Sequence, residues 1–394
     1  TLLDALHIRE QRIDASPLAK RRFIVRDSRL VALPSSPGTI LRTRAFSARA
    51  KLRLLREPFI ARGAADQEES IAAFVQRRLG REFLDYAVDP FVAGIYAGNP
   101  DEISVRAAFP RLHALEQQYG SLIKGQIKGA RSRAQRGEHA KNTAGSFSFA
   151  RGMQTLPDAI ARKLDDLVCD ARAMALARSD SQGFLVRVHR DGFEQTMHAR
   201  MVLLGVPAYA AAPLVAALAP EATAALAAIE YAPVLSIASL YRRAQVRHPL
   251  DGFGFLVPRV EHRRILGTLF SSSMFPGRAP QDCVLVTTFA GGKRNPGIAA
   301  LGDDEVGTVV AEELSMLLGA TPRPSWQQVT RWERAIPQYT LGHLDRIAQV
   351  ESLERATPGL FLCASYRGGV SVGDCIASAS ALAERMHRTI AASA

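Results

Sequence analysis

Residues 360–379 read LFLCASYRGGVSVGDCIASA, and this stretch decides how the rest of the chain is interpreted. Its first residues form an apolar run typical of a buried strand, Gly368 and Gly369 predict a turn, and the small residues from Val370 onward open a helix. A glycine turn lets backbone approach a flat ligand, and a helix N-terminus presents free N–H groups that stabilise developing negative charge. A plain strand–turn–helix connection is the competing interpretation, and residue types alone favour it.

The sequence before this stretch alternates between strand and helix patterns. Residues 183–206 predict a hairpin around an Asp-Gly turn followed by a buried strand, and residues 231–290 carry further apolar strands. An amphipathic helix is predicted over 303–319, whereas 326–345 is interpreted as irregular. The alternation, together with the returning strand–loop–helix unit, predicts an α/β fold with inserted α+β elements.

The first third of the chain is its most basic part. Residues 17–62 contain twelve Lys or Arg residues against two acids, and within them RRFIVRD and RLVALP predict a short hairpin. Helical patterns follow over 67–90 and around 104–118. The glycine-rich residues 120–145 are interpreted as a loop or linker.

Composition narrows the classes of function. The 394 residues, 47% hydrophobic and 22% charged, predict an ordinary globular protein of two or three domains. A net charge of +12 favours an anionic partner, and nucleic acid is disfavoured because no aromatic stacking residues are interleaved with the basic ones. The four cysteines lack CxxC spacing and no HExxH occurs, which argues against a metal site or a disulfide framework and for a reducing compartment.

Targeting and membrane-spanning signals are weak. The opening residues are charged early and do not resemble a signal peptide. The longest uncharged run, 201–219, is interrupted by Pro207 and Pro213, so it predicts a buried strand and an Ala-rich helix rather than a membrane span. Because the chain starts with Thr1 rather than Met, we expect upstream residues to be missing from this sequence.

Segments in consistent order resemble the protoporphyrinogen oxidases, members of the flavin-dependent amine oxidase superfamily. In chain order they are 21–37 (a substrate-anchor hairpin), 85–125 (a helical domain), 145–160 (a helix re-entering the flavin domain), 248–258 with 265–280 and 329–343 (a substrate domain), and 364–379 (the terminal flavin-contacting motif). The resemblance runs from about residue 5 to 385. Ordered segments of this kind are much more specific than a single glycine motif.

One departure from the family pattern is serious. The family opens with a dinucleotide-binding βαβ unit that carries GxGxxG, and no GxGxxG occurs in this chain. Either the sequence omits an N-terminal piece or the gene is truncated, and both interpretations stay open.

The resemblance implies a Rossmann-like FAD-binding flavoprotein with a mixed-sheet substrate domain and a helical membrane-binding domain. The implied boundaries are 1–16 for a remnant of the FAD-binding domain, 17–128 for the helical membrane-binding domain, 129–206 for the second part of the FAD-binding domain, 207–353 for the substrate-binding domain, and 354–394 for the C-terminal part of the FAD-binding domain.

The resemblance also implies residues that contact the substrate. Arg22 matches an arginine that pairs with a substrate propionate, a role that suits the forked guanidinium. Leu240, Leu256 and Phe270 match apolar positions that hold the macrocycle, and Gly94 matches a point of close backbone approach. Core packing remains the alternative interpretation for Leu240, and a solvated basic face is the alternative for Arg22.

A second set of residues is implied to contact FAD. The backbone of Ala364, Val370, Ser371 and Val372 matches flavin contacts in the terminal motif. Further along the cofactor, the expected contacts are less specific: Met174 at the adenine end and Trp332 near the flavin. No metal ligand and no certain general base is predicted.

The basic stretch 17–62 and the segment 120–145 fit an anionic membrane surface. The apolar residues expected to enter such a surface are Leu52, Leu54, Leu55, Phe59 and Ile60. The implied location is cytoplasmic, peripheral on the inner face of the cell membrane, or on an organelle membrane in a eukaryote. A homodimer is left open.

The implied reaction is the oxidation of protoporphyrinogen IX to protoporphyrin IX, with FAD taking hydride and oxygen as the final acceptor, giving peroxide. Coproporphyrinogen is the close alternative substrate, because the two differ in peripheral carboxylates. Another superfamily oxidase, such as an amine oxidase or a desaturase, is a broader alternative. A non-catalytic remnant that binds substrate or membrane without FAD is the alternative of a different class, supported by the missing fingerprint.

Overall fold

A computed structural model describes residues 1–34, 39, 43–64, 67–135, 145–179 and 183–392, without side chains for 130–135 and 392. The α-helices are α1 (Leu2–Ala5), α2 (Ala48–Leu55), α3 (Ile71–Arg78), α4 (Arg81–Phe83), α5 (Asp89–Tyr96), α6 (Val105–Ala108), α7 (Pro110–Tyr119), α8 (Leu122–Gln135), α9 (Thr155–Ala161), α10 (Ala208–Val215), α11 (Pro220–Ala227), α12 (Ser271–Met274), α13 (Asp303–Leu318), α14 (His343–Ala356) and α15 (Val372–Ala392). The strands are β1 (Arg12–Asp14), β2 (Arg22–Arg26), β3 (Arg29–Ala32), β4 (Phe147–Phe149), β5 (Ala171–Arg178), β6 (Phe184–Arg190), β7 (Phe193–Ala199), β8 (Val202–Leu204), β9 (Tyr231–Arg242), β10 (Gly254–Leu256), β11 (Ile265–Leu269), β12 (Cys283–Gly291), β13 (Trp326–Pro337) and β14 (Leu360–Leu362).

A seven-stranded mixed sheet in the order β13-β9-β12-β11-β10-β2-β3 forms the centre of the molecule. The predicted hairpin is confirmed as β2–β3, and β2 runs parallel to β10 with Arg22 opposite Gly254. Phe23 and Val25 alternate into the same core as Ile237, which explains why the hairpin joins this sheet. The hairpin therefore extends the sheet of the predicted substrate domain, although the implied boundaries placed it in the helical domain.

A second core surrounds the parallel pair β14–β8. The strand and the Ala-rich helix predicted across 201–219 both form, as β8 and α10, and the part of the chain that the structure describes contains no helix long and apolar enough to cross a membrane. Helices α10, α11 and α14 pack in this core with Leu204 and Leu360. The implied boundaries at 206 and 353 therefore divide one packed unit, because small alanine side chains let α10 and α11 pack closely on the strands.

Helices α2 to α8 make the helical unit, and α8 overturns the prediction of a linker. It begins at Leu122 and crosses the implied boundary at 128, while 136–144 lie outside the described residues. Its N-terminus is capped from a distance, since the Glu57 carboxylate accepts from Ser121 Oγ at 2.5 Å and from the Leu122 amide at 2.9 Å. A local pattern of glycines does not reveal such a partner, and the capping stabilises the helix.

The irregular structure predicted over 326–345 is also overturned. Strand β13 is twelve residues long and pairs with β9 at nine of them, with an irregularity between Trp332 and Ile336, and α14 begins at His343. Because β13 is the edge strand of the sheet, most of its side chains face solvent and the polar sequence QQVTRWER conceals the strand pattern.

A buried ion pair attaches α5 to the sheet. Asp89 opens the helix, and its Oδ2 accepts from the Arg294 guanidinium and from the Arg259 amide, both at 2.8 Å. The Arg294 guanidinium also donates to the carbonyl oxygen of Val257, directly after β10. Both charged side chains of the pair are more than nine-tenths buried, so the helix start and two loops of the sheet share one desolvated contact.

We expect Asp89→Asn to lower the free energy of unfolding by about 3–5 kcal/mol, because it leaves the Arg294 charge buried without a partner. Urea denaturation measures this. Glu312→Gln is the matched control, since it breaks a solvent-exposed pair with Arg264 and should cost less than about 1 kcal/mol. Equal losses in the two variants would contradict the role given to the buried pair.

Candidate functional site: an apolar cavity beside the terminal loop

A cavity of about 490 Å³ lies between α5 and the sheet. Its walls come from α5, the π-helical turn Leu84–Val88 that precedes it, β2, β10 and β11, with single contributions from β9, β12 and β13. The lining side chains and backbone are mostly apolar: Arg22, Phe23, Ile24, Leu33, Tyr86, Ala87, Pro90, Phe91, Ala93, Gly94, Ile95, Ala97, Val234, Phe253, Gly254, Phe255, Leu256, Leu266, Gly267, Thr268, Leu269, Phe289 and Ile336. Such a lining suits a flat, largely apolar ligand.

Glycines let the walls approach each other. A Cβ on Gly94 would lie 2.9 Å from Leu256 Cδ2, so the helix backbone faces the sheet at that leucine. Gly254 has a φ of +140°, and a Cβ there would lie 2.1 Å from the carbonyl oxygen of Thr268. A side chain is excluded at Gly254 by the pairing of β10 with β11. Gly94 thus lies against another predicted residue, Leu256, and its approach to a substrate stays a prediction.

The cavity has one cation at its edge. Among the described lining residues only Arg22 and Tyr86 titrate, and the lining contains no carboxylate. The Arg22 side chain is exposed, lies 5.2 Å from the Phe253 ring centroid, and pairs with no carboxylate of the described residues. Its neighbour Arg21 is instead paired with Asp251. The guanidinium of Arg22 is therefore available to an anionic group of a ligand in the cavity.

Two of the predicted substrate contacts lie elsewhere. Phe270 is fully buried in the apolar core that contains Val286, whereas the preceding Leu269 lines the cavity. Phe270 directly follows β11 and precedes α12, and its side chain is not part of the cavity lining, so its contact with a substrate stays a prediction. Leu240 shares a face with Val234 but lies six residues along β9, which is about 20 Å away.

Sequence reasoning missed several aromatic and aliphatic residues of the cavity. Phe91 and Ile95 lie on the same helix as Gly94, within one turn of it, and all three line the cavity. Helical spacing from Gly94 could have identified Phe91, three residues earlier, and spacing from Phe91 could then have identified Ile95, four residues later. No local signal identifies Phe253, which lies just before β10 and supplies an aromatic face under Arg22.

The terminal loop connects β14 to α15 and holds four of the predicted cofactor contacts. Ser371 caps α15, since its hydroxyl accepts from the Asp374 amide at 3.1 Å and donates to the carboxylate of Asp374 at 2.6 Å. The amides of residues 370–373 donate to no group of the described residues. The backbone around Ala364, Val370 and Val372 thus combines small side chains with unused N–H donors.

The loop and the cavity are joined through one strand end. Ile336, the penultimate residue of β13, lines the cavity and packs in the same apolar cluster as Val370. Unused donors, small side chains and this proximity fit a flat cofactor that carries negative charge at one end when reduced, as the family resemblance implies. The described residues include no group of three or more His, Cys, Asp or Glu side chains able to hold a metal.

The other two predicted cofactor contacts lie on separate elements. Met174 is an exposed residue of β5, the outer strand of the three-stranded sheet β5-β6-β7. Trp332 is an exposed residue of the edge strand β13, opposite Val234. Their contacts with the cofactor stay predictions.

A second, polar depression of about 360 Å³ lies beyond the ion pair of α5. It is rich in arginine and lysine, but each of these cations faces an acid. The pairs are Arg259–Asp101, Arg263–Glu313, Arg264–Glu312, Lys293–Glu230 and Arg294–Asp89. The depression is therefore close to neutral, whereas in the apolar cavity Arg22 has no acid partner among the described residues.

A buried histidine contacts the backbone of the terminal loop. His343 Nε2 lies 2.9 Å from the carbonyl oxygen of Tyr366, so this nitrogen carries the proton, while Nδ1 has no partner among the described residues. Burial lowers the pKa of His343 to about 4, outweighing the contact with the carbonyl of Tyr366. The ring is thus neutral at physiological pH.

Comparisons with known proteins agree with this geometry. The family profile described as flavin containing amine oxidoreductase matches residues 3–387. The mitochondrial protoporphyrinogen oxidase of Nicotiana tabacum is 34% identical over 96% of this chain and 80% of its own length. The coproporphyrinogen III oxidase of Bacillus subtilis (strain 168) is 26% identical over 88% of this chain and 73% of its own length.

A solved structure shares the fold. The crystal structure of a candidate protoporphyrinogen oxidase from Exiguobacterium sp. 255-15 superposes with a TM-score of 0.79 at 23% identity, covering 98% of this chain and 83% of that one. The α/β flavoprotein fold predicted from the sequence is thereby confirmed.

We expect the free energy of unfolding to fall by up to about 3 kcal/mol as the pH drops from 6.5 to 4, through His343 alone. The sign follows because the unfolded chain binds a proton on this histidine in that range and the folded chain does not. Denaturation curves across this range should show the loss in the native chain and a smaller one in His343→Gln. His198→Gln, on the exposed strand β7, is the control. If it changes the pH dependence of the free energy of unfolding as much as His343→Gln does, the loss does not come from His343.

Proposed function

This chain belongs to the flavin containing amine oxidoreductase family, and from that membership we propose that it oxidises protoporphyrinogen IX to protoporphyrin IX with FAD as cofactor. One observation carries the choice of substrate: an apolar cavity with a single unpaired arginine at its edge adjoins the terminal loop. A porphyrinogen has the same distribution of chemistry, a large apolar ring with carboxylates at its periphery.

The cavity chemistry favours protoporphyrinogen over coproporphyrinogen. Coproporphyrinogen carries more peripheral propionates, and each carboxylate that enters an apolar cavity without a partner loses its hydration. Arg22 is the single cation among the described lining residues and can pair with one propionate, which leaves one further propionate to keep in water for protoporphyrinogen but three for coproporphyrinogen. Because a relative from Bacillus subtilis is named as a coproporphyrinogen III oxidase, the experiment below also measures coproporphyrinogen oxidation.

The protein's own residues orient the ring rather than react with it. Arg22 fixes the register of the ring through a propionate, and Phe253 extends beneath the guanidinium as an aromatic surface. Gly94 lets α5 approach Leu256 closely, so these two residues close one side of the cavity that would hold the ring. Because the described lining contains no carboxylate or histidine, no side chain there is assigned as a general base.

FAD supplies the hydride acceptor when it is bound. The residues that would hold its flavin end are Ala364, Val370, Ser371 and Val372, through backbone contacts. Their unused amide N–H groups are suited to stabilise negative charge there. Contacts of Met174 with the adenine end and of Trp332 near the flavin complete the proposed cofactor site.

A membrane surface is the second proposed partner. An exposed apolar patch combines Leu52 and Leu55 of α2, Phe59, and Ile127 of α8, and Phe59 is 87% exposed. Lys124 lies beside the patch, with its Nζ 5.8 Å from the Phe59 ring centroid and donating to the carbonyl oxygen of Pro58 at 3.0 Å. Apolar residues ringed by lysine and arginine suit an anionic bilayer surface. This supports peripheral association through the helical unit.

Buried hydrogen bonds and ion pairs fix the backbone next to the patch. The Arg78 guanidinium is fully buried and donates to the carbonyl oxygens of Ile60 at 2.8 Å and Gly120 at 2.5 Å. It is also paired with the buried carboxylates of Glu57 at 3.0 Å and Glu116 at 3.2 Å. The loop that exposes Phe59 is therefore fixed at both ends, which lowers the entropic cost of docking.

We expect Arg22→Met to weaken binding of protoporphyrin IX by about 10- to 100-fold, because a charge-assisted contact with the propionate is lost. Porphyrin fluorescence titration measures this, and oxidation of protoporphyrinogen and coproporphyrinogen by the FAD-supplemented chain is compared in the same samples. Arg29→Met, an exposed arginine of the same hairpin, is the control and should bind like the native chain. Faster turnover of coproporphyrinogen, or no retained FAD, would overturn the proposed function.

We expect Leu55→Ser and Phe59→Ser together to reduce binding to phosphatidylcholine vesicles containing phosphatidylglycerol, by roughly tenfold for each side chain. Vesicle co-sedimentation at two salt concentrations measures it, and added salt should weaken the native chain as well. Phe193→Ser removes an equally exposed phenylalanine from the tip of the β6–β7 hairpin and serves as control. If the control loses as much binding, the patch has no special role.

A further inference from the structure

The terminal loop has a conformation that needs external support. Gly368 and Gly369 have φ values of +84° and +125°, and a Cβ on Gly369 would lie 2.7 Å from the Asp374 side chain. The loop thus folds back against the first turn of α15. Few side chains can occupy such a turn, so it depends on hydrogen bonds from outside it.

Tyr339 provides that support with a single hydroxyl group. Its Oη donates to the carbonyl oxygen of Ser365 at 2.7 Å and accepts from the amide of Gly369 at 3.0 Å. The hydroxyl therefore bridges the two ends of the turn. The neighbouring His343 stacks on the Tyr339 ring with centroids 4.2 Å apart and contacts the next carbonyl, that of Tyr366, at 2.9 Å.

Tyr339 is also tied to the wall of the cavity. Its carbonyl oxygen accepts from the Ser104 amide at 2.8 Å, and its ring centroid lies 5.7 Å from that of Tyr96 at the end of α5. The adjacent Gln338 donates to the carbonyl oxygen of Tyr96 at 2.8 Å. The side chain that holds the loop is thus fixed to the helix that lines the cavity.

We propose that Tyr339 is a positioning residue that sets the conformation of residues 365–371 and thereby the position of the cofactor-facing backbone relative to the cavity. The proposal rests on the proposed function for its cofactor, whereas the contacts with the loop do not. The hydroxyl is the decisive group, because phenylalanine would fill the same space and leave Ser365 and Gly369 without their shared partner.

The test compares Tyr339→Phe with Tyr241→Phe in the complete chain. Tyr241 is equally buried, but its hydroxyl has no partner among the described residues and it lies in the core of the central sheet. Hydrogen–deuterium exchange of the peptide spanning 365–371 is measured without FAD. We expect exchange at Gly369 to rise about tenfold in Tyr339→Phe and to stay unchanged in Tyr241→Phe.

A second measurement reads the cofactor side. After incubation with FAD and desalting, the position of the flavin absorption band and the dissociation constant of FAD are determined for each chain. We expect a shifted band and roughly three- to tenfold weaker FAD binding in Tyr339→Phe only. A variant that had merely lost global stability would also exchange faster in the strands of the central sheet. The hydrogen–deuterium exchange data of the first measurement show whether it does.

Two outcomes overturn the proposal: unchanged exchange at 365–371, or faster exchange with an unshifted flavin band and unchanged FAD affinity. Faster exchange confined to the loop, accompanied by the spectral shift, supports it. If the native chain retains no FAD, the proposed function fails, and the exchange data on the same samples still decide whether Tyr339 holds the loop.

Discussion

The buried ion pair between Asp89 and Arg294 is the constraint on which the cavity depends. Removing two charges from water is costly, so the pair persists only because the Asp89 carboxylate also accepts the Arg259 amide and the Arg294 guanidinium also donates to the backbone of Val257. Asp89 opens α5, where a negative charge is favoured by the helix dipole. One desolvated contact thus fixes where the helix crosses the sheet, and every lining residue of α5 follows from it.

Polar groups recur in this protein as fixing points beneath apolar surfaces. Arg78, fully buried with Glu57 and Glu116, fixes the loop that exposes Phe59. Tyr339 and His343 fix the terminal loop in the same way, with hydrogen bonds to backbone rather than to other side chains. In each case a buried polar side chain meets backbone atoms distant in sequence, so the surface above it keeps one geometry.

Local patterns were reliable where an element is decided by its own residues. The β2–β3 hairpin, the β6–β7 hairpin and helix α13 follow alternation or helical periodicity and formed as predicted. Helix α8 and strand β13 did not, and both failures have a physical cause. The first is stabilised by a glutamate about 65 residues away, and the second is an edge strand whose outer face is polar.

The ordered segments, including the glycine turn at Gly368 and Gly369, were sufficient to identify the family. The resemblance then selected Arg22, Gly94 and Leu256, which the fold brings to one cavity. The segments that carry the resemblance are recognised from short-range residue type and spacing, whereas the roles of these three residues are what the resemblance implies. Other features depend on how distant segments pack. They are the position of Leu269 rather than Phe270 in the cavity wall, the distance between Leu240 and Val234, and the contact of Tyr339 with the terminal loop. Such contacts form only when distant segments have folded together around a common core, so no local pattern encodes them.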